Sequence, residues 1–116
     1  MKTNAMTKTS FYRAIFDPSA KDYFRCDVRR GYKVCYMLAD GYLEIVYAKK
    51  DKDELEGGSW YATELLTGMR CDRGSKKTRA ELIDAMENID LLHKILECRD
   101  KCKHYAEEWA SAHESI

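Results

Sequence analysis

Proline occurs once in this chain, at Pro18, and glycine only six times in 116 residues. So few breakers exclude a collagen-like, linker-like or low-complexity protein, and no internal repeat is visible. No run approaches the roughly 18–20 apolar residues needed to cross a bilayer. The opening MKTNAMTKTS has a lysine but no apolar core after it, so it does not read as a secretory signal. The five cysteines, Cys26, Cys35, Cys71, Cys98 and Cys102, are odd in number and include no C-x-x-C pair. A disulfide framework is therefore not expected, and a reduced, cytoplasmic setting is. Catalytic signatures are missing as well: no G-x-S-x-G, no phosphate-binding glycine loop, no paired carboxylates beside a histidine. The expectation is a protein that is not an enzyme and needs no cofactor.

Net charge is also absent, but its absence hides an asymmetry. Residues 1–79 hold 16 Lys/Arg against 11 Asp/Glu, and residues 80–116 hold 4 against 9. One half can face an anionic partner while the other is solvated or meets a basic one; the two halves can also simply attract each other.

What is present is a globular composition, 45% apolar and 34% charged, of a length that suits one domain. Residues 1–10 are polar and without periodicity, and are expected to be disordered. Asp17-Pro18 has the form of an N-cap and first helical residue, which predicts a short helix from Pro18 to about Cys26 or Val28 ended by Gly31; a turn and strand is the other reading. Tyr32 to Leu38 and Tyr42 to Lys49 flank Asp40-Gly41 and predict a hairpin, with Leu43, Ile45 and Tyr47 on its core face. KKDKDELEGG (49–58) is a charged loop. Ser59 to Asp72 predicts a second hairpin around Thr67-Gly68, and Thr78 with Glu81 a capping box that opens a helix.

From Thr78 onward no Pro or Gly appears. Leu82, Met86, Ile89, His93 and Leu96 form one helical stripe. Leu91, Ile95, Cys98, Cys102, Tyr105 and Trp109 form another, roughly 160° away. One straight helix on one sheet cannot bury both. The helix breaks near Glu97 to Lys101 and folds back, or is sandwiched, or extends from the domain and offers its second stripe to another chain. The fold expected is α+β: an antiparallel three- to four-stranded sheet, a short N-terminal helix, and a long or kinked C-terminal helix packed on one face. Residues 11–116 form one domain, with 98–116 protruding or folded back.

Two residue sets are candidates for binding. The first is basic: Arg70, Arg73, Lys76, Lys77 and Arg79 surround a helix start whose free N–H groups and dipole suit a phosphate. Arg25, Arg29, Arg30 and Lys33 extend it if the first helix lies alongside. The second follows the second helical stripe: Glu87, Asp90, Leu91, Ile95, Cys98, Cys102, Tyr105 and Trp109, as a contact with a partner protein or a second copy. Metal is not expected: Cys98 and Cys102 share a face, but tetrahedral zinc needs two more ligands, and His93 and His104 point elsewhere. Cys71 has cations around it but lies on a strand, where a structural thiol is the better reading.

Two resemblances bear on these sets. GSKKTRAELIDAM, with Gly74, Ser75, Lys76 and Lys77 opening the last helix, resembles the double-stranded-RNA-binding domain, whose second helix starts on such a segment and touches phosphates. The third lysine of that pattern is absent, and Glu81 and Asp84 occupy the first turns. W-x-A-T-E-x-x-T-G-x-R-x-x-x-G-x-x-K-T-R-x-E (60–81) is similar to small uncharacterised proteins carried by phages and conjugative elements of Firmicutes. That resemblance implies a mobile-element protein that inhibits or modulates a host nucleic-acid machine by protein–protein contact, an anti-CRISPR inhibitor of a CRISPR nuclease being one such activity. The acidic helix residues Glu81, Asp84, Glu87, Asp90, Glu97, Asp100, Glu107 and Glu108 would then meet a basic groove. The other readings are an RNA- or DNA-binding module using the basic run, and a structural homodimer without a ligand.

Overall fold

The computed structural model describes residues 6–17, 19, 22–50 and 59–114, with side chains at 6–14, 19, 28–50 and 59–103. Six elements follow in order: β1 (Thr7–Asp17), β2 (Asp22–Leu38), β3 (Gly41–Lys49), β4 (Trp60–Glu64), α1 (Arg79–Met86) and α2 (Ile89–Glu114). The four strands form an antiparallel sheet in the order β1-β2-β3-β4, a meander. The fold is α+β, as the sequence pattern implies.

One element differs from expectation. In place of a helix opening at Pro18, Asp22 to Leu38 is a 17-residue strand, and β1 is its partner. Phe16 pairs with Tyr23, Ile15 with Phe24, and Asp17 with Asp22. Tyr, Phe and Val recur along this stretch, and a pleated ladder accommodates them better than a helix does; the expected helix start at Pro18 lies outside the described residues, between the paired Asp17 and Asp22. Thr7 to Ser10, expected to fray, pair with Lys33 to Arg30. Gly31 does not end an element either. It lies inside β2, where a Cβ would stand 2.6 Å from the Val46 side chain and 2.8 Å from the Tyr47 carbonyl oxygen. The close approach permits β2 to turn over the sheet.

The expected hairpin of β2 and β3 forms, but its two-residue turn is Ala39-Asp40 and not Asp40-Gly41: Leu38 stands opposite Gly41 and Tyr36 opposite Leu43. Leu43, Ile45 and Tyr47 face the helices and are fully buried with Val34, Tyr36 and Ala62. The second face of the sheet is buried too. Phe11 on β1 packs against Val46, Ala48 and Tyr61, so β1 has curled across the meander. Its Ala14 N–H donates to the Gly68 carbonyl at 2.7 Å, just beyond an irregularity in the β1–β2 ladder between Tyr12 and Ala14.

The helical region is broken, but at Glu87-Asn88 and not near residues 97–101. Glu87 closes α1 on the Ile83 carbonyl, and Asn88 caps α2 through its side chain, which accepts from the Leu91 N–H at 3.1 Å. The break resets the helical phase. Leu82 and Met86 from α1 and Leu91, Leu92, Ile95 and Leu96 from α2 then meet in one core over the sheet. Both stripes read from the sequence were mixtures of core and surface: Ile89 is exposed and His93 half-buried. Among the described residues no helix is long and apolar enough to cross a membrane. The loop 51–58 lies outside the described residues.

Candidate functional site

The segment leaving β4 makes an incomplete second hairpin. Glu64 N–H donates to the Met69 carbonyl, Cys71 N–H to Ala62, and Trp60 and Lys76 exchange both backbone bonds. Between these points the chain bows out, and side chains take over the ladder. Glu64 is buried, and its carboxylate accepts from Leu66 N–H (2.7 Å), Thr67 N–H (2.9 Å) and the Thr67 hydroxyl (2.7 Å), closing the turn. Asp72, its side chain almost fully covered, accepts from Ala62 N–H at 3.0 Å and Gly74 N–H at 3.2 Å.

Asp72 decides the role of Arg70. The guanidinium donates to both carboxylate oxygens, at 2.8 and 3.0 Å, and to the Ser75 hydroxyl. It also lies over the Tyr61 ring. Its hydrogen bonds to Asp72 raise its pKa. Arg70 is thus committed to holding the turn. The helix start is occupied as well: Glu81 N–H donates to the Thr78 hydroxyl oxygen, whose proton goes to the Glu81 carboxylate. The negative charge that suits the positive end of α1 is supplied by its own first turn. Arg79 stacks over Tyr32 at 4.4 Å and over Trp60 at 5.7 Å. Of the expected basic set, Arg70, Arg73, Lys76 and Lys77 are exposed, and Arg70 alone of these four is held by Asp72.

The expected helical contact set divides differently. Leu91 and Ile95 are each only 7% exposed and belong to the core, so they offer nothing to a partner. They were misassigned because the break at Asn88 turns them inward. Glu87 sits half-buried at the joint between α1 and α2. Asp90 and Cys98 are exposed and Cys102 is half-buried; the side chains of Tyr105 and Trp109 lie outside the described residues. Arg99 donates to the Tyr42 carbonyl at 2.6 Å, which fixes α2 to the start of β3.

A cleft of about 210 Å³ separates the 64–71 turn from α2, lined among others by Thr67, Cys71, Lys94, Cys98 and Arg99. Burial pushes the Cys71 thiol up, and Asp72 and Glu64 add to it. Cys102 is raised by burial and by Cys98. Both shifts keep the thiol protonated, opposite to what an activated nucleophile needs. Among the described residues no group of three His, Cys, Asp or Glu could hold a metal ion. His93 instead lies 3.2 Å from Asp40.

No family model, curated protein or solved structure matches the chain.

Lys8, Tyr32, Lys49 and Trp60, which the sequence pattern did not bring forward as site residues, gather around the expected Lys76. Lys8 stands opposite Tyr32, Lys49 opposite Trp60, and Lys76 opposite Trp60 on its other side. The signal for this grouping is the register of three ladders, which no local spacing carries.

Proposed function

We propose that the protein works by binding a protein partner along α2, without catalysis of its own. One observation carries this reading: the described core residues of α2 end well before the helix does. The last buried residue described on it is Leu96, none of residues 97–103 is buried, and the helix continues to Glu114. Those 18 further residues span about 27 Å. A helical segment of that length has little stability alone in water and gains it by packing against something. Asp90, Glu97 and Asp100 are exposed along α2, and residues 80–116 carry nine carboxylates against four Lys/Arg. The partner surface that complements them is basic, as on a protein that handles nucleic acid.

In its finer form the proposal is a cytoplasmic mobile-element protein that inhibits or modulates a host nucleic-acid-acting machine, with anti-CRISPR inhibition the activity to assay first. Tagged protein should co-purify with its target, and Asp90→Lys/Glu97→Lys/Asp100→Lys should release it. For a CRISPR nuclease the readout is loss of target cleavage. Normal cleavage at excess protein across several nuclease types would end the anti-CRISPR form. A triple variant that still holds its target would end the assignment to α2. Sedimentation of the protein alone distinguishes a second copy as the partner.

A further inference from the structure

We propose that the end of the sheet where Tyr32 and Trp60 meet is a second binding site, separate from α2, and that its ligand is a single-stranded oligonucleotide. The register places the residues. Lys8 is opposite Tyr32, Tyr32 opposite Tyr47, Lys49 opposite Trp60, and Trp60 opposite Lys76. Residues directly opposite share a face, as do residues two apart along a strand. Arg30, two before Tyr32, joins the same face. This is the face that carries the helices, in the rows beyond the start of α1.

Two half-exposed aromatics lie at the centre, their ring centroids 6.4 Å apart. Arg79 from the first residue of α1 stacks on both. Lys8, Arg30, Lys49 and Lys76 surround them, all exposed, and none forms an ion pair with a described carboxylate. Beside them runs a groove of about 500 Å³ lined by Lys8, Thr9, Ser10, Arg30, Gly31 and Tyr32.

The chemistry of this surface selects its ligand. Four cations that pair with no described carboxylate suit successive phosphates. Flat rings backed by a guanidinium offer faces on which unpaired bases stack, whatever their identity. A duplex keeps its bases stacked on each other and cannot use the rings. The hydroxyl of Ser10, opposite Arg30 on the same face, adds a hydrogen-bonding partner for sugar or phosphate.

The test is fluorescence anisotropy with a labelled oligothymidylate about 12 nucleotides long, within the usual site sizes of single-strand grooves. The whole chain is used, as the Trp109→Phe variant, so that Trp60 alone reports. Binding should quench Trp60, and log K should fall with log salt at a slope of about −3 for four phosphate contacts. Lys8→Glu/Arg30→Glu and Lys49→Glu/Lys76→Glu should each weaken binding about tenfold or more at low salt. These side chains are exposed, so circular dichroism should show the fold kept. Lys101→Glu is the control. It lies two residues from Arg99, which is held at Tyr42, the far end of β3 from Lys49. Three outcomes would overturn the proposal: no anisotropy change at about 50 mM salt, equal binding of a duplex of the same length, or binding lost in Lys101→Glu but kept in the four-lysine-and-arginine reversals. None of them touches the assignment of a protein partner to α2, which a pull-down reads separately.

Discussion

Gly68 holds a φ of 72°, and a Cβ there would stand 2.5 Å from the Tyr12 carbonyl oxygen and 3.1 Å from the Ala14 nitrogen. Both facts demand glycine: one is backbone conformation, the other the docking of β1 onto the turn after β4. Gly68→Ala should cost about 1–3 kcal/mol in chemical denaturation, and an unchanged midpoint would show that β1 does not rest there. Tyr36 and Tyr47 pose the opposite case, two buried hydroxyls that satisfy each other at 2.6 Å. Tyr36→Phe leaves the Tyr47 hydroxyl buried without that partner and should cost about 1–3 kcal/mol. Adding Tyr47→Phe should recover part of that loss, a coupling visible in a double-mutant cycle. Burial raises both phenols well above the ordinary value of 10.0. Below pH 10 both states keep these protons, so stability is unaffected. Above it the unfolded chain releases them and the folded chain does not, so stability falls as pH rises. The tyrosinate absorbance of these two should appear only with alkaline unfolding, and a smooth titration of all eight tyrosines near pH 10 would contradict their burial.

At the scale of elements, the joint at Glu87-Asn88 does the most to organise the core. Asn88 supplies the cap of α2, but nothing next to it breaks a helix, and helix formers continue on both sides. What makes it a joint is the demand that Leu82 and Met86 on one helix and Leu91, Leu92, Ile95 and Leu96 on the next reach the same sheet face. Asn88→Ala should lower stability by about 1 kcal/mol through the lost cap. If thermal unfolding instead shows no loss, the two helices are held by packing alone. The β1–β2 ribbon shows the converse error of local reading. Asp17-Pro18 resembles a helix start over three or four residues, yet the aromatic and branched residues on either side pair across the turn for the whole length of β1. The β2–β3 hairpin and the capping box at Thr78 were legible because their signals are complete within a few residues.

For the molecule as a whole, charge and architecture divide the surface. The acidic half of the chain is helical and the basic half supplies the sheet end around Trp60. Truncation after Lys103 tests the role assigned to α2. The described core ends at Leu96, so the midpoint of thermal unfolding should move by no more than a few degrees, while retention of a protein partner should be lost. A large drop in stability would mean that the far helix belongs to the core. The candidate sites were only partly legible. The exposure of Lys76 and Lys77 follows from their polarity, but the capture of Arg70 by Asp72 needs the bowed return segment. The grouping of Lys8, Tyr32 and Trp60 needs three strands in register.

By itself the sequence determined the local structures: the alternation of Leu43, Ile45 and Tyr47, a hairpin between β2 and β3, the cap at Thr78, and an α+β class without a membrane-length apolar run. These depend on interactions within a few residues, where propensity and periodicity act. The tertiary structure decided what depends on residues far apart. It made Asp22 to Leu38 a strand, because a partner strand stood ready, and turned Leu91 and Ile95 inward at a helix break. It buried Val46 and Ala48 under Phe11, and set two aromatics among four lysines and arginines. Each of these is a choice between faces or partners, and burial across the whole sheet settles such choices.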